Sequence, residues 1–302
     1  MSNFILIGVC FLAGFLLRKA GVLPKGSHQG INVWIIYVAL PAATLKYLPG
    51  IEWSNDLLIP LLTPLICWIG AWILSELLAK PFHFDRKTKA AFLIVTGLGN
   101  TSFIGFPLIS AYYGENNLSI AAVTDQMSFF ILAVFASVVA MKASGTAKAD
   151  FKTISLKLVK FPPFLVIIIA LVLPHFVSFD SITPLASTLA ATLSPLAIFS
   201  VGLQFELGKM RDVLKPILAA SLYKLILSPL IILGLAFAFQ TGPMETKVSV
   251  FEASMGTMIS AGILNDQFGL NPRLSNLIVF LTILLSFVTS GIWYLVLEAL
   301  VG

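Results

Sequence analysis

"GLGNTSFIGFPLISAYYG", Gly97 to Gly114, carries glycines, a proline and the polar run Asn100-Thr101-Ser102 inside a chain that is otherwise one apolar stretch after another. Each of these residues weakens a membrane-spanning helix. A backbone amide or carbonyl left unpaired in hydrocarbon costs several kcal/mol, so irregular backbone persists there only when buried in protein or lining a water-filled cavity. The sequence therefore predicts a helix broken inside the protein near Gly97 to Gly105. Gly99 and Gly105 are expected to supply backbone angles that other residues resist, and Pro107 removes a donor just beyond.

The surroundings support membrane depth. Of the 302 residues 58% are hydrophobic and only 11% charged, with a mean hydropathy of +0.97, far from the roughly 25% charged of soluble domains. The chain reads as an all-α polytopic membrane protein. Its net charge of +5 does not indicate nucleic acid, because no soluble module gathers basic residues with aromatics between them. Cys10 and Cys67 both lie in apolar runs, with neither metal-ligand spacing nor a disulfide framework. The N-terminal apolar run has no basic residue before it and Arg18 and Lys19 after it, which predicts an uncleaved first span with its N-terminus outside.

Apolar windows of about 20 residues predict ten transmembrane helices. They fall near 3–20, 29–48, 56–79, 88–113, 118–141, 160–178, 183–207, 213–239, 246–268 and 273–300. With both termini outside, every Lys and Arg except Lys46, Lys224 and Lys247 falls on the inner side, as expected of a cytoplasmic (inner) membrane protein. The longest loop, Ala143 to Val159, is basic and suits a connector at an anionic membrane surface.

Shifting the chain by about half its length superposes several features. "VALPAATLKYLPGIE", with Pro41 in span two, falls on "TLSPLAIFSVGLQFE", with Pro195 in span seven, and both end at a glutamate, Glu52 and Glu206. The opening stretch falls on "EASMGTMISAGILNDQFG", where Asn100-Thr101-Ser102 meets Met255-Gly256-Thr257 and Gly114 meets Gly269. Five spans per half make the halves, 1–148 and 149–302, inverted repeats. Span nine is then expected to break at Gly256 and Gly262, with Ser254, Thr257 and Ser260 as polar neighbours. Two crossed broken helices, four and nine, would bring half-helix N-termini and C-termini together, a site for a small ion or an anionic solute.

"GLGNTSFIGFPL", "AAVTDQMSFFILAVF", "KLILSPLI" and "QFGLNPRLSNLIVFLTILLSFVTSGIWYLV" resemble the auxin efflux carrier family, which includes bacterial organic-acid carriers and plant auxin exporters. The resemblance covers nearly the whole chain, through loose motifs. It implies a ten-helix fold of two inverted five-helix repeats, akin to bile-acid and sodium/proton transporters. Spans one, two, six and seven would form a scaffold, often dimeric, and spans three to five and eight to ten a transport unit moving against it like an elevator. The implied activity is secondary transport of organic anions without ATP. Asn100 matches the asparagine of the family's span-four crossover and Pro107 its proline. Plant exporters usually carry prolines at the span-nine crossover, where this chain has Met255-Gly256, and the long cytoplasmic loop of many plant members is absent.

An ionisable group inside a span is a functional hypothesis by default. Lys224, in "SLYKLILSP", lies about nine residues, or about 13 Å, from the inner end of span eight. Asp125, in "VTDQMS", lies about a third of the way into span five. It could pair with Lys224, bind a coupling cation or proton, line a wet vestibule, or form a structural hydrogen bond; Gln126 and Ser128 add polar groups to the span, though not all of these can face one cavity. Glu76, Lys80, Arg86 and the pair Asn265 and Asp266 are expected near the inner boundary, and His28 and His175 at span ends. The leading function is a carrier for a small organic anion, probed by Asn100, Thr101, Ser102, Ser254, Gly256, Thr257 and Ser260 around the crossover glycines Gly97, Gly99, Gly105 and Gly262. Asp125 and Lys224 would balance charge. A homodimer through spans two and seven, with scaffold kinks at Pro41 and Pro195, is the expected assembly, with no cofactor. An intramembrane enzyme lacks HExxH, GxSxG or paired aspartates. A passive channel or membrane sensor on the same fold is the alternative, though no pore-lining ring or output module is visible.

Overall fold

In a computed structural model the described residues are 2–24, 26–49, 54–145, 182–204 and 213–302, with five isolated positions between 165 and 172. Apolar sequence without water to bond its amides has to fold them into helices, and the described chain is helical almost throughout. Helix α1 is Ser2–Lys19. Helices α2, Ser27–Trp34, and α3, Leu40–Tyr47, run on through a widened, π-helical turn at Ile35–Ala39. Helix α4 is Leu58–Ala79 and α5 is Arg86–Gly97. A second π turn, Thr101–Gly105, leads into α6, Phe106–Tyr112. A third, Leu132–Ala136, joins α7, Leu118–Ile131, to α8, Ser137–Ser144.

The second half continues with α9, Thr183–Ala190, and α10, Leu193–Gln204. Helix α11, Leu214–Leu222, passes through a π turn at Tyr223–Leu227 into α12, Ser228–Ala238. The chain ends with α13, Pro243–Ala253, α14, Ile259–Gln267, and α15, Pro272–Val301. Among the described residues, five helical runs are long and apolar enough to cross a membrane: 55–79, 115–144, 183–204, 214–238 and 272–301. They overlie the third, fifth, seventh, eighth and tenth expected spans. The sixth expected span, with His175, lies outside the described residues save for those isolated positions, as do Lys25, Glu52, Glu206 and most of the basic loop after Ala143.

Prolines explain three of the π turns. Pro41, Pro107 and Pro229 each follow one by two residues; a proline lacks an N–H, and its ring presses on the carbonyl four residues back, so the turn widens. The carbonyl deprived of its amide finds another donor. Leu225 O, four residues before Pro229, accepts from the Trp293 indole at 2.8 Å. Within α4, Pro64 leaves Pro60 O to the Thr124 hydroxyl at 3.0 Å. Pro195 behaves differently from the expected kink. It sits in the first turn of α10, after a helix interruption at Ala191-Thr192, where a proline costs no internal bond.

The chain condenses into two compact units, each of three segments: 1–53, 102–122 and 159–206 in one, 54–101, 123–158 and 207–302 in the other. In the first unit α1 lies against α10 so closely that a methyl group on Gly14 would collide with Phe199 O, and one on Gly202 with Phe11 O. Close backbone approach through small residues is how helices associate where lipid removes the hydrophobic drive. Lys46 and Glu115 approach to 3.7 Å near the surface of this unit.

In the second unit, Ile59, Cys67, Ile232, Leu233, Ala236, Val250, Ala253, Trp293 and Leu297 form a buried cluster. Helix α5 starts at Asp85, whose carboxylate accepts the Thr88 amide at 2.7 Å; bonds from Thr88 hold this carboxyl below the usual carboxylate range. From Ala90 to Gly97 every residue of α5 is buried, and in α13 every residue from Thr246 to Ala253 is buried. A helix buried on all sides is an interior element. One of these residues is Lys247, expected on the outer side; its ammonium lies 2.8 Å from Glu298 Oε1, a pairing that lets a charge leave water.

Candidate functional site

Both interior helices stop abruptly. After Gly97 the backbone of Leu98 is extended, with φ −110° and ψ 121°, and after Ser254 the chain extends again to Met258, with φ −60° and ψ 126°. The two extended pieces pair as an antiparallel bridge between Gly99 and Thr257. Asn100 N donates to Gly256 O at 2.7 Å and Met258 N to Leu98 O at 3.0 Å. The breaks thus satisfy each other's backbone, which answers how they persist in a buried setting.

Side chains complete the accounting. Thr257 N donates to Thr282 Oγ1 at 3.0 Å, and Thr282 Oγ1 donates to Ile278 O at 2.7 Å. The Thr257 hydroxyl donates to Val95 O at 2.8 Å, capping one carbonyl at the end of α5. Ser254 Oγ donates to Phe251 O at 2.7 Å, at the end of α13. Of the residues expected to face solute, Ser254 and Thr257 therefore hold the framework, and the amides of Asn100, Thr257 and Met258 are engaged. Asn100, Thr101 and Ser102 are buried, and Ser260 is half-buried.

Gly97, Gly256 and Gly262 serve space, and the left-handed angles expected of Gly99 and Gly105 are not used. Neither has a positive φ, and Gly105 is helical at φ −58°. A methyl group on Gly256 would come within 2.6 Å of Ile283 Cα, and one on Gly97 within 2.7 Å of Trp68 Cε3. On Gly262 it would meet Val279 Cγ2 at 3.2 Å. Pro107 lies in the first turn of α6, two residues after the π turn Thr101–Gly105.

Charge gathers beside the bridge. Lys224, 2% exposed, points its ammonium at Thr96 O, 3.3 Å away, at the C-terminal end of α5, where partial negative charge favours a cation. The Asp125 carboxylate, wholly buried, accepts from Thr101 Oγ1 at 2.6 Å. A Cβ placed on Gly99 would lie 3.5 Å from Glu252 O, 3.8 Å from Thr101 Cγ2 and 3.9 Å from Lys224 Nζ, so these groups surround one point. Nearby, Tyr223 OH donates to Cys67 O at 2.7 Å and Cys67 Sγ lies 2.9 Å from Ser228 Oγ. Asn265 is fully buried and ties α14 to Ala91 O and Ser275 Oγ at 3.0 and 2.9 Å.

Sequence reasoning missed Glu252. It is 1% exposed, and among the described residues neither carboxylate oxygen has a hydrogen-bond partner. The signal was present: an acidic residue inside an apolar span, two positions before Ser254, meets the same criterion that singled out Asp125 and Lys224.

The sequence profile of a family described as "Membrane transport protein" matches residues 1–294. An "Uncharacterized transporter" of Methanocaldococcus jannaschii is 24% identical over 302 residues, covering 97% of each chain. A Methanothermobacter thermautotrophicus protein of the same description is 24% identical, covering 96% of this chain and 95% of its own. A Rhizobium meliloti protein bearing the name "Putative malonate transporter" is 26% identical, over 96% of this chain and 93% of its own.

Proposed function

We propose, from the premise that the chain belongs to the membrane transport protein family, that it is a secondary carrier of a small organic anion, a carboxylate of the malonate class. The observation that carries this reading is the pairing of two broken interior helices at Leu98–Asn100 and Gly256–Met258, with the Lys224 ammonium buried beside it. A buried cation next to helix breaks suits an anion, because it supplies attraction where water is excluded. The name of the Rhizobium relative supports the same chemical class.

In this reading the chain forms ten spans in two inverted repeats, 1–148 and 149–302. Spans one, two, six and seven make a dimeric scaffold in the inner membrane, and the other spans carry solute across by alternating access, coupled to H+ or Na+. Asn100, Thr101, Ser102 and Ser260 meet the solute, while Ser254, Gly256 and Thr257 hold the break in shape.

Counterflow in proteoliposomes tests this. Vesicles containing the purified protein and unlabelled malonate are expected to take up labelled malonate transiently and saturably, and Asn100→Ala is expected to abolish the exchange while the protein stays folded. A channel cannot give counterflow, because it holds no site that exchanges one solute molecule for another. Flux without counterflow would therefore replace the carrier by a channel, and exchange undiminished in Asn100→Ala would move the solute away from the break.

A further inference from the structure

We propose that Glu252 is the group through which this carrier binds and releases a proton; the inference rests on the carrier reading above. Three ionisable side chains lie by the bridge: Lys224, Asp125 and Glu252, each no more than 2% exposed. Glu252 O and Thr101 Cγ2 lie 3.5 and 3.8 Å from the point a Cβ on Gly99 would occupy, and the Thr101 hydroxyl holds Asp125. Two carboxylates buried in the same region are costly to keep ionised unless each charge is matched. A proton on one of them removes that cost.

The hydrogen bonds say which carboxyl holds it. Asp125 Oδ1 receives the Thr101 hydroxyl at 2.6 Å, which favours an ionised acceptor. Glu252 receives no donor on either oxygen among the described residues, and an anion left that way has nothing to replace its hydration. On the same face of α13 one turn earlier, the Ser249 hydroxyl is also wholly buried and, among the described residues, lacks a partner, as does that of Thr96, whose carbonyl Lys224 contacts.

Four titratable groups on the surrounding elements have partners of their own. From α4, the Cys67 thiol meets Ser228 Oγ, and Glu76 pairs with Lys89 at 2.8 Å. Tyr223 donates to Cys67 O, and Glu298 of α15 pairs with Lys247. The step is a simple transfer. Hydronium gives its proton to a Glu252 carboxylate oxygen when that residue meets water, leaving water and a neutral carboxylic acid, and the reverse occurs on the other side.

Two measurements decide this. Infrared spectra of the protein in lipid at neutral pH are expected to show the C=O stretch of a protonated carboxylic acid that disappears in Glu252→Gln and persists in Asp125→Asn. Because glutamine reproduces the neutral acid, Glu252→Gln is expected to keep the wild-type melting temperature. A band unaffected by Glu252→Gln, or lost only in Asp125→Asn, would overturn the assignment. In proteoliposomes, an imposed pH gradient, acid on the side of the labelled malonate, is expected to drive accumulation in wild type and not in Glu252→Gln. Accumulation driven by a Na+ gradient instead, or retained in Glu252→Gln, would also overturn it. Absence of malonate exchange in wild type strikes at the carboxylate reading alone, since the infrared band continues to decide the role of Glu252.

Discussion

Gly99 and Gly256 lie on opposite pieces of the paired breaks, opposite Thr257 and Asn100, and they differ in the space around them. A methyl group on Gly99 meets its neighbours at 3.5 Å or more, ordinary contact, whereas on Gly256 it meets the backbone of Ile283 and Thr282 at 2.6 to 2.8 Å. Gly99→Ala is therefore expected to unfold within about 0.5 kcal/mol of wild type, and Gly256→Ala to be destabilised by about 1–3 kcal/mol through overpacking. Thermal unfolding of the two variants in lipid checks this, and equal losses would refute the distinction. At this scale the sequence was half legible. Glycines and polar residues marked where the helices stop, but the reason given for Gly99 was a backbone angle, and the extended residue is Leu98. Angles follow from local sequence only loosely, while the space beside Gly256 is set by α15, whose approach no local pattern announces. Glu252 was legible and overlooked, hidden by the turn signals that follow it.

At the scale of helices, five of the expected spans coincide with described helical runs long and apolar enough to cross a membrane, because hydrocarbon demands about 20 apolar residues of each. Prolines also announced where helices depart from regularity, as at Pro41 and Pro107. Which neighbour then serves the freed carbonyl was not legible, since Trp293 lies 68 positions from Leu225 and Thr124 lies 64 from Pro60. Those donors carry a measurable share of stability. Trp293→Phe is expected to cost about 1–3 kcal/mol by leaving Leu225 O unsatisfied. Thr124→Val is expected to cost a similar amount, and less when combined with Pro64→Ala, which restores an amide to Pro60 O. A double-mutant cycle from melting curves reads the coupling directly. Additive effects would mean that the hydroxyl and the proline act independently.

For the whole molecule, the bridge unites pieces about half a chain apart: Asn100 with Gly256, and Leu98 with Met258. Neither half can close its own break, so residues 1–148 or 149–302 produced alone are expected to be degraded or aggregated, and the two produced together to recover malonate counterflow. Recovery of a folded single half would show that the bridge is dispensable. This interdependence has a consequence for synthesis. At ~5–20 residues per second, roughly 8–30 s of translation separate the emergence of Leu98 from that of Met258. Throughout that interval the nascent chain sits in the bilayer with one open backbone pair, visible to insertases and membrane proteases. The time a cell allows for biogenesis is therefore written into the distance between two short extended segments.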